Sequence, residues 1–321
     1  MQKKFALILF VTVFVLCALY LAGGYVIYDR LSKVTPGGGE QAVNTPASFK
    51  PYKEWPDFDT SLYFMPDYQD VQFPSRQAGI NLKGWYVPGE ADAPVVIVTH
   101  GLSGCKCDPN ALTVAGMLHR SGFNVLLFDL REHGQSDIED GRAAIGNEEY
   151  MDVLGAWDWL ANEKKFKPEQ IGLFGESMGA GTSLIAFGQE PRLAAIFVDS
   201  PYSDLYQIIT EELARNNFPT FFAPASILMA RLVSGDDLLT YSPEDAVRNH
   251  LNRPIYIVHG TGDTRISVQH SRRLINLADQ SGANLTSWIP EGVEHVAAEF
   301  DYPQEYEQKL VSFFEQALTT P

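Results

Sequence analysis

Only three cysteines occur in the 321 residues, and no other Cys/His grouping has the spacing of a zinc site. Cys105 and Cys107 stand two apart in a loop, where a bridge rarely reaches its preferred geometry, so free thiols and no metal or cofactor are expected. Basic residues are also scarce: 24 Lys and Arg face 40 Asp and Glu, a formal net charge of -16. That balance repels a phosphate backbone and no Lys/Arg stripe offsets it, which argues against nucleic acid as a partner. Nor can such an acidic chain be held electrostatically on anionic lipid, so membrane attachment must come from apolar insertion. What the chain has in quantity is core material, with 45% apolar and 20% charged residues.

Residues 5–28 form 24 positions without a charge, between the basic start Lys3-Lys4 and Asp29-Arg30. As a helix they would span roughly 36 Å, enough to cross a bilayer with some tilt. A secretory signal has a shorter apolar stretch, yet Ala22-Gly23-Gly24 offers a cut, so secretion after cleavage stays open as the alternative. Lys3, Lys4 and the terminal amine slightly outweigh Arg30 and Lys33. By the positive-inside rule the tail is then cytoplasmic and the bulk of the chain lies outside. The expected organisation is a basic tail (1–4), a single-pass transmembrane signal-anchor helix (5–28), a tether and leading segment (29–69) and one large domain (70–321). The tether contains the flexible Pro36-Gly37-Gly38-Gly39. Trp55, Phe58, Tyr63 and Phe64 are expected to pack on the domain.

Beyond residue 70, near-continuous apolar runs at 95–98, 125–128, 171–174, 195–198 and 255–258 suit strands buried on both faces of a parallel sheet. Helical patterns at 110–120 and 148–161 lie between them. Residues 71–73 and 82–87 alternate and read as a leading, half-exposed antiparallel pair. The pattern predicts an α/β fold with a mostly parallel, doubly wound sheet, whose ligands bind beyond the C-terminal strand ends.

Gly175-Glu176-Ser177-Met178-Gly179 falls at one such end, a G-x-S-x-G between strand and helix. A serine on so tight a turn points its hydroxyl outward, and a Cβ at either glycine would strike the adjoining element. Ser177 is the expected nucleophile. Its proton needs a base, and the base needs a carboxylate to fix its tautomer. With this elbow the chain order is serine, acid, histidine. His295, on a loop after the strand-like 285–289, is the expected base. Asp263, directly after the run at 255–258, is the favoured acid, with Asp199 as its competitor. Backbone N–H groups of Met178 and of Leu102, in the turn Thr99-His100-Gly101-Leu102, are the expected oxyanion donors. His100, His133 and His259 read as structural.

Thr99-His100-Gly101, Asp129-x-Arg131-x-His133-Gly134-x-Ser136, Gly175-x-Ser177-x-Gly179, His259-Gly260-x-x-Asp263 and Gly292-x-Glu294-His295 occur in this order. Together they resemble the α/β-hydrolase superfamily, most nearly its serine-aminopeptidase-like and monoacylglycerol-lipase-like hydrolases. The likeness covers about residues 70–317 and departs at Glu132 and Glu294, where glycine is commoner. It implies an α/β-hydrolase fold with a helical lid inserted at about 201–250, and a serine hydrolase working through an acyl-enzyme. The lid would hold an amphipathic helix at 202–217, then Phe218, Phe221 and Phe222, then an apolar helix at 225–233. Those phenylalanines are the expected acyl-pocket residues, against the plainer expectation that they merely pack lid onto domain.

Glu211 and Glu212 aside, no acidic cluster suggests a receptor for a peptide's free amine. The expected substrate is therefore a small carboxylic ester, acyl or lipid-like, with serine aminopeptidase activity as the alternative. A non-catalytic binding protein on the same fold is the second alternative, although such proteins typically lose a triad member and none is missing here. Oligomeric state is left open.

Overall fold

The computed structural model describes residues 2–35 and 42–318, so the glycines of the tether lie outside the described residues. The strands are β1 Gln69–Pro74, β2 Asn81–Val87, β3 Val95–Thr99, β4 Asn124–Phe128, β5 Ile171–Glu176, β6 Ala195–Asp199, β7 Ile255–Val258 and β8 Leu285–Trp288. The helices are α1 Gln2–Ser32, α2 Pro109–Arg120, α3 Tyr150–Asn162, α4 Met178–Gln189, α5 Leu205–Arg215, α6 Ala223–Val233, α7 Pro243–Arg248, α8 Gln269–Ser281, α9 Ala298–Asp301 and α10 Pro303–Ala317. All eight strands join one sheet in the order β1-β2-β4-β3-β5-β6-β7-β8. β2 runs antiparallel to β1 and β4, and every other pairing is parallel.

The apolar runs are continuous because both faces of the sheet are covered. In β3, Val95 and Ile97 enter one core while Val96 and Val98 enter the other, and β6 and β7 divide in the same way. Leu112 and Leu118 of α2 and Leu310 and Phe314 of α10 fill one core. Leu154 and Trp157 of α3, Leu184 of α4 and Leu274 of α8 fill the other. Strand order reverses on either side of β3, so a crevice opens beyond the C-terminal ends of β3 and β5, where such sheets bind ligands.

The leading segment lies on the domain through its aromatic rings: Trp55 stacks on Phe300 at 4.8 Å and Phe58 meets the same ring edge-on at 5.0 Å. Cys105 and Cys107, expected as free loop thiols, are instead joined by a disulfide. The turn between them brings their Cα atoms to 5.0 Å, and both residues are buried.

α1 is long and apolar enough to cross a membrane, and its most apolar window, of mean hydropathy 2.8, is unburied. It is a candidate membrane anchor or signal sequence. Only Gly24, Ile27, Tyr28 and Ser32, near its C-terminal end, are buried. Gly24 lets α6 come close, since a Cβ there would lie 2.5 Å from that of Ala225. Tyr28 shares a hydrogen bond with Ser234 at 2.6 Å. Arg142 donates to Asp29 at 2.6 Å and to Ser32 at 2.8 Å. Glu132 helps to build this clamp. Its carboxylate accepts the amides of Glu139 at 2.7 Å, Asp140 at 3.1 Å and Gly141 at 2.7 Å, and the Gly141 carbonyl accepts from Val34. The departure from glycine at Glu132 thus trades a strained φ of +65° for an ordered loop.

Candidate active site

Ser177 links β5 to α4 with φ +53° and ψ -119°, a backbone conformation that costs energy and needs its surroundings to hold it. The Ser177 amide donates to the Asp199 carbonyl at 2.9 Å. The flanking glycines make room: a Cβ on Gly175 would lie 2.4 Å from the Gly179 carbonyl oxygen, and one on Gly179 would lie 2.3 Å from that of His100. The loop after β8 brings His295 across 118 positions of sequence, with Nε2 at 2.9 Å from Ser177 Oγ. Its Nδ1 lies 2.7 Å from Asp263 Oδ2, on the loop after β7. An ionised carboxylate only accepts, which puts the imidazole proton on Nδ1 and leaves Nε2 to accept from the serine hydroxyl.

Burial alone would raise the pKa of Asp263. The bonds from His259 and His295 outweigh it and hold the carboxyl below its usual range. The amides of Arg265 and Ile266 donate to Oδ1, each at 2.8 Å. His259 Nε2 lies 3.1 Å from Oδ2 and 2.9 Å from the Ile266 carbonyl, while its Nδ1 faces Ser271 at 2.7 Å. The competitor Asp199 is engaged elsewhere, with Ser200 at 2.9 Å and Tyr306 at 3.0 Å. Burial pushes its carboxyl up to about 6.

The loop after β3 closes over the elbow. A Cβ on Gly101 would stand 3.3 Å from that of Ser177, and Leu102 lines the same cleft as Ser177 and His295. Two buried histidines set this loop. His100 accepts the Leu130 amide at 3.1 Å and donates to the Gly101 carbonyl at 2.8 Å; burial lowers its pKa to about 3, so it stays neutral. His133 accepts the Ser103 amide at 3.1 Å and donates to the Arg131 carbonyl at 2.7 Å. Asp129 accepts the Lys106 amide at 2.7 Å and that of Gln135 at 2.9 Å. Arg131 is buried on Asp152 at 2.7 Å. The Asp-x-Arg-x-His motif is therefore scaffolding for the loop that carries Leu102. Met178 opens α4, where an N–H has no partner within the helix.

The cleft, about 930 Å³ including its mouth, is also lined by Tyr52, Trp55, Asp108, Glu176 and Arg265. None of these five was singled out from the sequence as a site residue, though Trp55 was expected at the domain surface and Glu176 lies inside the pentapeptide. Burial, reinforced by Glu299 and Asp108, raises the Glu176 pKa well above the usual carboxylate range. Its Oε2 has no hydrogen-bond partner among the described residues. Burial also pushes Asp108 up to about 7. One wall of the cleft therefore carries carboxyls whose burial disfavours the charged form.

The lid phenylalanines are not in this cleft, contrary to expectation. Phe222 stacks on Tyr20 of α1 at 5.4 Å and Phe221 at 6.4 Å, with Phe221 63% exposed. Phe218 packs, half-buried, at the edge of the core with the Arg30 guanidinium 5.8 Å from its ring centroid. The reason is α1 itself: Gly23 and Gly24 offer a bare surface against which the aromatic turn and Ala225 seat. Glu211 pairs with His270 at 3.1 Å and Glu212 with Arg265, so neither carboxylate is free.

The sequence profile of the prolyl oligopeptidase family, peptidase S9, matches residues 112–320. The Escherichia coli O157:H7 protein YfhR, itself uncharacterized, is 26% identical over 259 residues, covering 78% of this chain and 81% of YfhR. The Danio rerio lysophosphatidylserine lipase ABHD12 is 24% identical over 221 residues, 64% of this chain and 53% of that protein. Among solved structures, the Pyrococcus furiosus esterase Pf2001 shares the fold, with a TM-score of 0.65 and 21% identity over 86% of this chain and 98% of the esterase.

Proposed function

The chain belongs to the prolyl oligopeptidase family, with the fold of the α/β-hydrolases, and we propose that it is a membrane-anchored serine hydrolase cleaving carboxylic esters of acyl or lipid-like groups. One observation carries the proposal: an unbroken run of alcohol, imidazole and carboxylate, at 2.9 and 2.7 Å, whose alcohol and imidazole line an open cleft. Ser177 Oγ attacks the ester carbonyl as its proton passes to His295 Nε2. Asp263 holds the imidazole and stabilises the imidazolium. The amides of Met178 and Leu102 receive the oxyanion, each such donor being worth about 3 kcal/mol of barrier. His295 then protonates the departing alcohol, and a water that it deprotonates releases the acyl group from Ser177.

Three things favour an ester: the apolar α1, the lid helix packed on it, and similarity to a protein named as a lysophosphatidylserine lipase. A second reading, peptide cleavage next to a free amine, is favoured by the family's name and by Glu176 and Asp108 on the cleft wall. Retention of α1 as an anchor is supported by Tyr28 and Ser32 buried against the domain and by the Arg142 bonds. On this reading the domain lies outside the cytoplasm, and protease added to intact cells should digest it; full protection would reverse the topology.

A fluorophosphonate probe is expected to label the wild type and not Ser177→Ala, and equal labelling of both would sink the assignment. p-Nitrophenyl esters run beside aminoacyl-naphthylamides then decide between the two readings. Amide turnover exceeding ester turnover would select the peptidase.

A further inference from the structure

A second cavity adjoins the catalytic cleft and differs from it in character. Its space, about 550 Å³ with the open solvent at its mouth included, is walled by Ile27, Tyr28 and Leu31 of α1, Leu213 of α5, Ile227 of α6, and Leu102. The walls are mainly apolar, as those of small-molecule sites are. Leu102 belongs to both cavities. An ester whose oxyanion rests on the Leu102 amide would therefore have its carbonyl group beside the residue that both spaces share. The alcohol portion would face Tyr52, Trp55 and Asp108 in the polar cleft, and the acyl portion would have the apolar cavity beside it.

The α1 wall is the part of that helix next to its bilayer-length stretch. Val26 is still exposed, whereas Ile27 and Tyr28 are buried. At about 1.5 Å per residue, Leu31 lies less than 10 Å along the helix from Val26. The cavity therefore sits where α1 passes from the surface-exposed apolar stretch to the domain. The Arg142 bonds to Asp29 and Ser32 hold the α1 wall to the domain, and the contact of Gly24 with Ala225 holds it to the lid.

We propose that this cavity is the acyl-chain subsite, that the membrane helix forms one wall of it, and that its occupant is the hydrocarbon chain of a single-chain amphiphile drawn from the bilayer. The inference rests on the serine-hydrolase reading above and makes Leu31 and Ile227 determinants of chain length. Each methylene buried in such a site raises kcat/KM by roughly fourfold until the space is full.

The test uses the full chain in lipid vesicles and p-nitrophenyl esters from acetate to decanoate. In the wild type kcat/KM should rise steadily with chain length to a maximum. Leu31→Trp and Ile227→Trp, which fill the cavity, should lower the octanoate-to-butyrate ratio of kcat/KM by about tenfold or more, a loss comparable to two buried methylenes. Ile227→Ala, which enlarges the cavity, should move the maximum to longer chains. Val11→Trp, on the exposed face of α1, should keep the wild-type profile. Fluorophosphonate labelling at the wild-type rate certifies that each variant is folded with its site intact. Unchanged profiles in labelled Leu31→Trp and Ile227→Ala would overturn the subsite while leaving the serine hydrolase standing. Wild-type protein that neither labels nor hydrolyses any ester would remove the underlying reading and this inference together.

Discussion

Asp263→Asn tests whether the carboxylate orients the base. In the native site the amides of Arg265 and Ile266 both donate to Oδ1, while Oδ2 faces His295 at 2.7 Å and His259 at 3.1 Å. The same two amides would hold the oxygen of an asparagine, turning its NH₂ toward both imidazoles. His295 could then meet that NH₂ only by accepting through Nδ1, with its own proton moved to Nε2. In that tautomer it cannot take the proton of Ser177. The loss of such a base costs about four decades in kcat, or roughly 5.5 kcal/mol of barrier. Asp199→Asn is the matched control, because Asp199 bonds Ser200 and Tyr306 and not His295. Steady-state hydrolysis of p-nitrophenyl butyrate, normalised to probe-labelled sites, reads both variants. If Asp263→Asn kept its kcat while Asp199→Asn lost activity, the acid would be Asp199 and the argument from the Asp263 hydrogen bonds would fail.

Gly179→Ala should lower stability by about 3 kcal/mol, because its Cβ would strike backbone oxygens of Thr99 and His100 that cannot swing aside. Denaturant unfolding measures this, and an unchanged midpoint would show that the elbow has slack. A pH effect is expected beside α1. Burial and the neighbouring Asp236 push Glu148 up to about 8, and burial pushes Asp236 up to about 6. Both folded pKa values lie above those of unfolded carboxyls, so the folded chain holds the extra proton and stability is greatest at low pH. That contribution declines as pH rises from about 4, where unfolded carboxyls ionise, and is gone above about 8. Tm should fall between pH 5.5 and 8.5, and less steeply in Asp236→Asn; equal slopes would contradict a shared proton.

Much of the fold was legible because its elements carry strong local signals. The runs at 95–98 and 171–174 are apolar at every position but Gly172, which requires cover on both faces, and β3 and β5 are buried throughout. The serine was legible because glycines on both sides of it answer a local steric demand. His295 and Asp263 followed from their position after strand-like runs. Phe218, Phe221 and Phe222 were misplaced because aromatic character does not say which of two apolar partners it meets. Here α1 took Phe221 and Phe222. Glu176 and Asp108 were passed over because their significance lies in burial beside one another, which no local pattern encodes.

Sequence alone determined what depends on neighbours along the chain: the elbow at Ser177, the doubly covered strands, and a helix long and apolar enough to cross a membrane. It also sufficed to name the serine and histidine of the proposed triad and to favour Asp263 as its acid, since these positions follow strand-like runs. Tertiary structure decided what depends on residues far apart meeting. It chose Asp263 over Asp199 as the partner of His295, joined Cys105 to Cys107, and turned Glu132 into a staple for the loop that grips α1. It also set the base of α1 as a wall of the cavity beside Leu102. Those outcomes rest on distances across the packed core, and a linear pattern has no term for them.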